Sequence, residues 1–539
     1  MQKKVEIFTL TLLLIFVFYC AISIGISWDF EMEVNRGNER LKYLFFQSSF
    51  ENYKLAVSQV GEEFYPGFYT TLASFIAKMF PKEYEFETWQ LTNSLFSVLT
   101  VFGIYRISRN LFNKKVGKIV FLLYFLNPVF FGHMAMNPKD IIIAFANVWS
   151  TYIFIMYLQN QDQKEKCNRY ILLAGLTVGI GTGMRLPFII TLVPLFFFVI
   201  IDIFFLKKII SPKFSFKRFA VHLLFVLLIA YLVTISCWPY VHKNIFTEPF
   251  KLALEATKFP LFGPSWILIN GNFFATDQAP SLYIIINFFY KSPEFILLCY
   301  AIFIYFLLAN RKFFLSQFNF FLNKIFLILF IFLFPTIIFI FLPYKIYDGL
   351  RLFLYLIPYF NIIPGLVIYY LIKNFDLLIS KILLGTIASL FVYYLYMFVM
   401  LTPYQYTYLN LFTGNFSEAH KKFENDYWAI SIKELVKKIP GETNLIKNNE
   451  KVHIAFCGLP HKLAKRELNK IKKLKYEQKY LYANDVDYIM MTNRIVEDRN
   501  DNTLANLNTC FEKFKGEKLI SVERNGLVLS TIKKNLKKE

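Results

Sequence analysis

Five short stretches gather the residues able to do chemistry in an otherwise apolar chain. The first, Trp28-Asp29-Phe30-Glu31-Met32-Glu33, sets carboxylates at i, i+2 and i+4. On a helix Asp29 and Glu33 share a face, and on an extended segment all three do. A carboxylate partly desolvated beside Trp28 suits a general base toward a hydroxyl, while an acidic flank of an apolar segment is the plainer role. The second stretch, His133-Met134-Ala135-Met136-Asn137-Pro138-Lys139-Asp140, is a short turn. Pro138 fits the first turn of a following helix and Asp140 its positive end. Capping leaves His133, Asn137 and Lys139 side by side, a set suited to an anion or a sugar, although a lone histidine is more often a structural hydrogen-bonder. Arg185 lies in Gly183-Met184-Arg185-Leu186-Pro187. Arg351 follows the tight turn Tyr347-Asp348-Gly349, where it either snorkels to an interface or holds a phosphate. The fifth stretch is Pro403-Tyr404-Gln405-Tyr406.

The elements that must position these residues are membrane spans. The chain has 539 residues, 56% of them hydrophobic, and a mean hydropathy of +0.42, which excludes a soluble enzyme. A span needs about 20 apolar residues to cross roughly 30 Å of hydrocarbon. Eleven segments qualify, near 7–27, 89–107, 117–136, 140–158, 170–184, 186–206, 218–238, 293–309, 321–343, 350–371 and 380–401. The stretch 170–206 is continuous and is split at Arg185 and Pro187, both costly in mid-span. The first segment starts like a signal peptide at Lys3 and Lys4, but its apolar run is too long and no small-residue cleavage site follows, so it reads as an uncleaved span.

Orientation follows from Lys and Arg in the short loops. With a cytoplasmic N-terminus, the inner segments 1–6, 106–118, 159–169, 200–218, 310–324 and 372–381 hold 20 Lys+Arg and 5 Asp+Glu. The outer remainder before residue 402 holds 14 and 16. All five reactive stretches then map to the outer face, as does everything after residue 402. The expected class is an α-helical polytopic membrane protein of about 11 spans with a small C-terminal α/β extracytoplasmic domain. Its parts are a transmembrane module 1–401 with long outer loops 28–88 and 239–292, a connecting segment 402–429 and the outer domain 430–539. The loops carry amphipathic stretches, Phe64 to Tyr69 and Tyr283 to Tyr290, which read either as helices on the membrane surface or as solvated connectors. In the tail, runs at Val452–Cys457, Val486–Thr492, Leu519–Glu523 and Leu527–Ile532 read as strands.

The net charge of +21 brings no compact basic domain or base-stacking motif, so nucleic acid is not an expected partner. Cys20, Cys167, Cys237 and Cys299 fall in or beside spans with no metal-site spacing and read as packing residues. Cys457 and Cys510 share the outer domain, where a disulfide and two free thiols fit equally well. No cofactor is assigned, and a divalent metal is left open. The abundance of Phe, Tyr, Ile, Asn and Lys suits an AT-rich bacterial genome and hence a bacterial inner (plasma) membrane.

Taken in order, the clusters resemble the membrane glycosyltransferases of the dolichyl-phosphate-mannose protein mannosyltransferase type, glycosyltransferase family 39-like, within the GT-C superfamily. The matching features are Trp28-Asp29, His133 with Asn137 to Asp140, Arg185 after a Gly-rich span, Pro280 to Pro293 before a span, and Tyr347-Asp348-Gly349 with Arg351. Pro403 to Asn410 and Asp426-Tyr427-Trp428 look like the signature of bacterial members. The resemblance covers most of the chain to about residue 435. It implies a catalytic outer cavity, a sugar donor carried on a polyprenyl phosphate, and inversion at the anomeric carbon. It also implies that Asp29 is the catalytic acidic residue. Relatives often place a second acidic residue next to that Asp, whereas here Phe30 intervenes and Glu31 follows, so Asp29 and Glu31 are both candidates for the base. On this reading Arg351, Lys139 and Arg185 hold the donor phosphate. His133, Asn137, Asp140, Tyr347, Asp348, Tyr404 and Gln405 face the substrates, and the acceptor is a protein, a lipid or a glycan. A lipid-linked glycan flippase would instead place charges near the midplane with broken helices and two related halves, and a non-catalytic assembly scaffold would tolerate alanine in the outer clusters.

Overall fold

In the computed structural model, residues 2–46, 48–57, 61–258, 263–441, 451–496 and 507–536 are described. Parts of both long loops (47, 58–60 and 259–262) and of the expected outer domain (442–450, 497–506 and 537–539) lie outside the described residues.

Each of the eleven apolar stretches is helical, because continuous Leu, Ile and Phe runs close their own backbone hydrogen bonds. Among the described residues, seven helices are long and apolar enough to cross a membrane, or eight if the bent pair Tyr283–Lys291 and Glu294–Ala309 counts as one span. That pair bends by 116° at Ser292-Pro293, since a proline both lacks the N–H and disfavours helix before it. Three expected spans fall short for different reasons. Glu85–Leu111 is long but lined with Thr88, Gln90, Thr92, Asn93, Ser94 and Ser97, all buried against protein. The expected span 117–136 is broken into Lys114–Phe125 and Pro128–His133, with Asn127 capping the second piece through Phe130 N. Lys164–Thr182 opens on charged residues. The split at Arg185 and Pro187 falls between Lys164–Thr182 and Phe188–Ile201.

Burial separates the central helices from the lipid-facing ones. Asp140–Gln159 and the broken span Arg351–Lys373 are 83% and 89% buried, against 17% for Lys4–Ser23. The Asp140–Gln159 helix packs on Glu85–Leu111, on Lys164–Thr182 and on the 3-10 turn Arg351–Leu356, so its N-terminus lies where several elements meet. The Lys164–Thr182 helix approaches Phe216–Ser236 closely. A Cβ on Gly175 or Gly179 would come within 2.5 Å of Ile229 or 2.6 Å of Val233, which is why small residues stand at both positions.

The long loops contain the helices Phe30–Phe45, Phe50–Ala56, Phe68–Ala77 and Glu248–Ala256. They also hold a hairpin, Trp266–Ile269 paired antiparallel with Asn272–Ala275. Its turn is Asn270-Gly271, both at positive φ, the pairing that a two-residue hairpin favours. The tail forms the expected small α/β domain, and its five-stranded mixed sheet adds Tyr476–Gln478 to the four strands read from the sequence. Its order is Tyr476–Gln478, Val452–Cys457, Tyr488–Thr492, Leu527–Lys534, Lys518–Arg524, parallel in the first two pairings and antiparallel in the last two. Cys457 and Cys510 form a disulfide.

Candidate active site

The charged stretches, far apart in sequence, meet in one alternating chain of cations and carboxylates. Asp29 stands just before the helix Phe30–Phe45, and its carbonyl accepts from Glu33 N at 3.1 Å. Its carboxylate lies 3.7 Å from Lys139 Nζ and 3.6 Å from Arg351 Nη2. Lys139 also pairs with Glu33 at 2.9 Å, and Glu33 accepts from Arg36 Nη1 at 2.6 Å. Burial by itself would raise the Glu33 carboxyl, but Lys139 and Arg36 hold it down at about 2. Beyond it Arg36 and Arg40 both pair with the buried Glu62, to which Tyr53 donates at 2.9 Å. Arg40 lies flat against Gly67, where φ is +81° and a Cβ would collide with the guanidinium, so glycine is required there twice over.

On the other side of Asp29, Arg351 binds three carboxylates. Its Nη1 donates to Asp348 Oδ2 at 2.6 Å, its Nε to Asp140 Oδ2 at 3.2 Å, and Nη2 faces Asp29. The guanidinium also lies 4.4 Å from the centre of the Trp428 ring and 5.5 Å from that of Tyr347. Asp140 Oδ1 takes Arg185 Nη1 at 3.2 Å. The Asp348-Gly349 turn, with φ of 58° and 63°, is what brings Asp348 back onto Arg351. Although burial works against its charge, Arg494 and Arg351 hold the Asp348 carboxyl below the usual range.

Exposure divides the carboxylates. The Asp29 side chain is 25% exposed, against 2% for Glu33, 6% for Asp140 and 2% for Asp348. Arg185 is 24% exposed. Chemically, this is an accessible carboxylate flanked by two cations within 4 Å and a third, partly open arginine nearby. Such a site can take a proton from a neutral group and hold an anion beside it.

The other sequence candidates separate clearly. Glu31 is 44% exposed and lies 4.0 Å from Arg466 of the tail, away from the Asp29 chain. His133 is fully enclosed: its Nδ1 meets Val129 O at 2.7 Å, so it carries the proton there, and its Nε2 accepts from Tyr427 OH at 2.8 Å. Asn137 is a cap, with Oδ1 accepting from Lys139 N and Asp140 N and Nδ2 donating to Asp140 at 3.0 Å. Tyr404 donates to Glu434 at 3.0 Å and Gln405 to Thr402 at 3.1 Å, so these hydrogen bonds hold the connecting segment and the tail.

Six residues of the cluster were not among the sequence candidates. Glu62, Arg36 and Arg40 are legible only through their buried pairing. Lys291, 5% exposed with its amine beside Gly349 and 5.6 Å from the Tyr427 ring, is an ionisable group buried at the C-terminal end of the apolar helix Tyr283–Lys291, which is itself a signal. Arg494 and Glu424 come from the tail and the connecting segment, and no local pattern marks them. Among the described residues no group of three or more His, Cys, Asp or Glu is placed to hold a metal ion.

This fold and cluster define a multi-pass membrane protein with a charged centre built at the ends of its helices. Residues 68–238 match the family model for dolichyl-phosphate-mannose-protein mannosyltransferase. The whole chain is similar to ArnT from Cupriavidus metallidurans in the apo state, with a TM-score of 0.51 at 9% identity over 99% of this chain and 98% of that one. It is equally similar to ArnT bound to undecaprenyl phosphate, with a TM-score of 0.51 at 9% identity over 99% of each chain. The family resemblance read from the motifs is therefore borne out, with the family model matching residues 68–238, and the fold is that of ArnT. No curated protein matches the sequence.

Proposed function

We propose that the protein is a glycosyltransferase that moves one sugar from a polyprenyl-phosphate donor to an acceptor hydroxyl at the outer membrane face. The acceptor is a protein, lipid or glycan. The N-terminus is cytoplasmic, and the tail domain and the charged centre are extracytoplasmic. Asp29 takes the proton of the acceptor hydroxyl as its oxygen forms a bond to the anomeric carbon. The bond from that carbon to the phosphate oxygen breaks in the same displacement, so the configuration inverts and the polyprenyl phosphate leaves with its electron pair. Arg351, Lys139 and Arg185 neutralise the charge that develops on it.

The observation that carries this reading is the position of Asp29, the open carboxylate in a chain of buried ones, with Lys139 and Arg351 on either side. Glu31 points to the tail instead, which favours Asp29 as the base. The match of residues 68–238 to the mannosyltransferase model supports the same chemistry, and ArnT, of like fold, binds undecaprenyl phosphate. The test is to incubate the purified protein with a panel of labelled polyprenyl-phosphate sugars. Consumption of one of them is the expected result, and no consumption of any with acceptor present refutes the reading.

A further inference from the structure

The tail domain does not merely sit above the charged centre. It places one arginine inside it. Arg494, on the loop after the strand Tyr488–Thr492, reaches Asp348 Oδ1 at 2.7 Å and Glu424 at 3.4 Å. Its side chain is 12% exposed and lies 5.6 Å from the ring centre of Trp28, the neighbour of Asp29. The opposite oxygen of Asp348 takes Arg351 Nη1 at 2.6 Å and Trp428 Nε1 at 3.2 Å. The contacts thus run Arg494, Asp348, Arg351, Asp29 without a gap.

The loop is held where this requires. Arg494 O accepts from Cys510 N at 2.9 Å, and Cys510 is bonded to Cys457. Asn493 Nδ2 donates to His420 O at 2.7 Å, tying the loop to the connecting segment. A Cβ on Gly458 would come within 2.7 Å of Arg494 Cβ, so the loop fits against a glycine.

We infer that Arg494 is a positioning residue: by saturating one oxygen of Asp348 it leaves Arg351 free to divide its guanidinium among Asp348, Asp140, Asp29 and an incoming phosphate. Without Arg494, the full charge of a buried carboxylate falls on Arg351 and draws it into a two-pronged pair with Asp348, away from the donor. The inference rests on the transferase reading above and adds the tail domain to the donor site.

The experiment measures binding of bare polyprenyl phosphate and turnover of the labelled polyprenyl-phosphate sugar, with the full chain in lipid nanodiscs. Arg494→Gln is expected to weaken both donor KM and polyprenyl-phosphate binding by roughly tenfold, the scale of one charge-assisted hydrogen bond, with kcat changed less. Arg494→Lys restores part of the loss, because it returns the charge but not the fork. Because Arg494→Gln leaves Asp348 buried and undercompensated, the decisive variant is the double Asp348→Asn, Arg494→Gln. It removes both charges, and asparagine tolerates the positive φ at 348. If Arg494 acts through Asp348, Arg494→Gln has little further effect in the Asp348→Asn background. Additive losses, or unchanged donor binding in Arg494→Gln, overturn the inference and leave the transferase reading intact. A wild-type protein that neither binds polyprenyl phosphate nor consumes a donor removes both.

Discussion

Replacing Asp29 by asparagine separates chemistry from architecture at the charged centre. The substitution keeps shape and removes basicity. What it costs the fold follows from the geometry: the two ion pairs of Asp29 are loose, at 3.7 and 3.6 Å, and its side chain is 25% exposed. Pairs of that kind are worth up to about 1 kcal/mol each, so Asp29→Asn folds and inserts. Its cost to the reaction is far larger, because a general base commonly contributes about a hundred- to ten-thousandfold in rate. Donor binding is expected to hold or tighten, since Lys139 and Arg351 lose a competing anion. Glu33→Gln should do the reverse. Glu33 is buried between Lys139 at 2.9 Å and Arg36 at 2.6 Å, and stripping one partner from a buried pair costs about 3–5 kcal/mol. Glu31→Gln, exposed and 4.0 Å from Arg466, should leave both stability and turnover near wild type. The assay is turnover of the donor identified by the panel, with thermal melting and polyprenyl-phosphate binding on the same preparations. If Asp29→Asn keeps more than about a tenth of wild-type turnover, well short of the loss a base implies, Asp29 is not the base. If Glu31→Gln is the inactive variant, the base lies two positions on.

Arg351→Lys should raise the apparent KM for the lipid donor by roughly tenfold, because a lysine cannot serve Asp348, Asp140, Asp29 and a phosphate from one planar fork. Unchanged donor kinetics would reduce Arg351 to an anchor. Burial lifts the Glu424 carboxyl from 4.5 to about 7, against the pull of Arg494 and with the push of Asp348. Between those values the folded protein keeps a proton the unfolded chain has released, so stability falls as pH rises from 4.5 to 7, by up to about 3 kcal/mol. Glu424→Gln should remove that slope, and melting curves that stay parallel to wild type from pH 5 to 8 would contradict it. Reporter fusions at residues 165 and 480 should lie on opposite sides of the membrane, and the same side for both would break the proposed orientation.

How much of this was written in the sequence depends on the range of the interaction. The helices at all eleven apolar stretches, the break at Gly183 to Pro187 and the four longer strands of the tail were legible, because hydropathy over 20 residues and alternation over five are local properties, whereas the short strand Tyr476–Gln478 was not. The hairpin at Trp266–Ala275 was legible too, through Asn270-Gly271 between apolar runs, although the loop reading passed over it. The reactive stretches were found from the cost of placing charge in an apolar chain, and Asp29, Lys139, Asp140, Arg185, Asp348 and Arg351 do converge.

What composition and spacing could not assign is which of these groups is spent on another protein group. His133 and Asn137 look like ligands in sequence and are saturated by Val129, Tyr427 and the start of the Asp140–Gln159 helix. Glu31 looks equivalent to Asp29 and faces Arg466 instead, since two residues along a helix turn a side chain by about 200°. Arg494 is one of many basic residues in a Lys-rich tail, and only the docking of that tail brings it to Asp348, 146 positions earlier. Apolar pattern decides which segments become helices. The role of each charged side chain is decided by its partner, because a buried charge must be neutralised, and the partner is supplied by the tertiary fold.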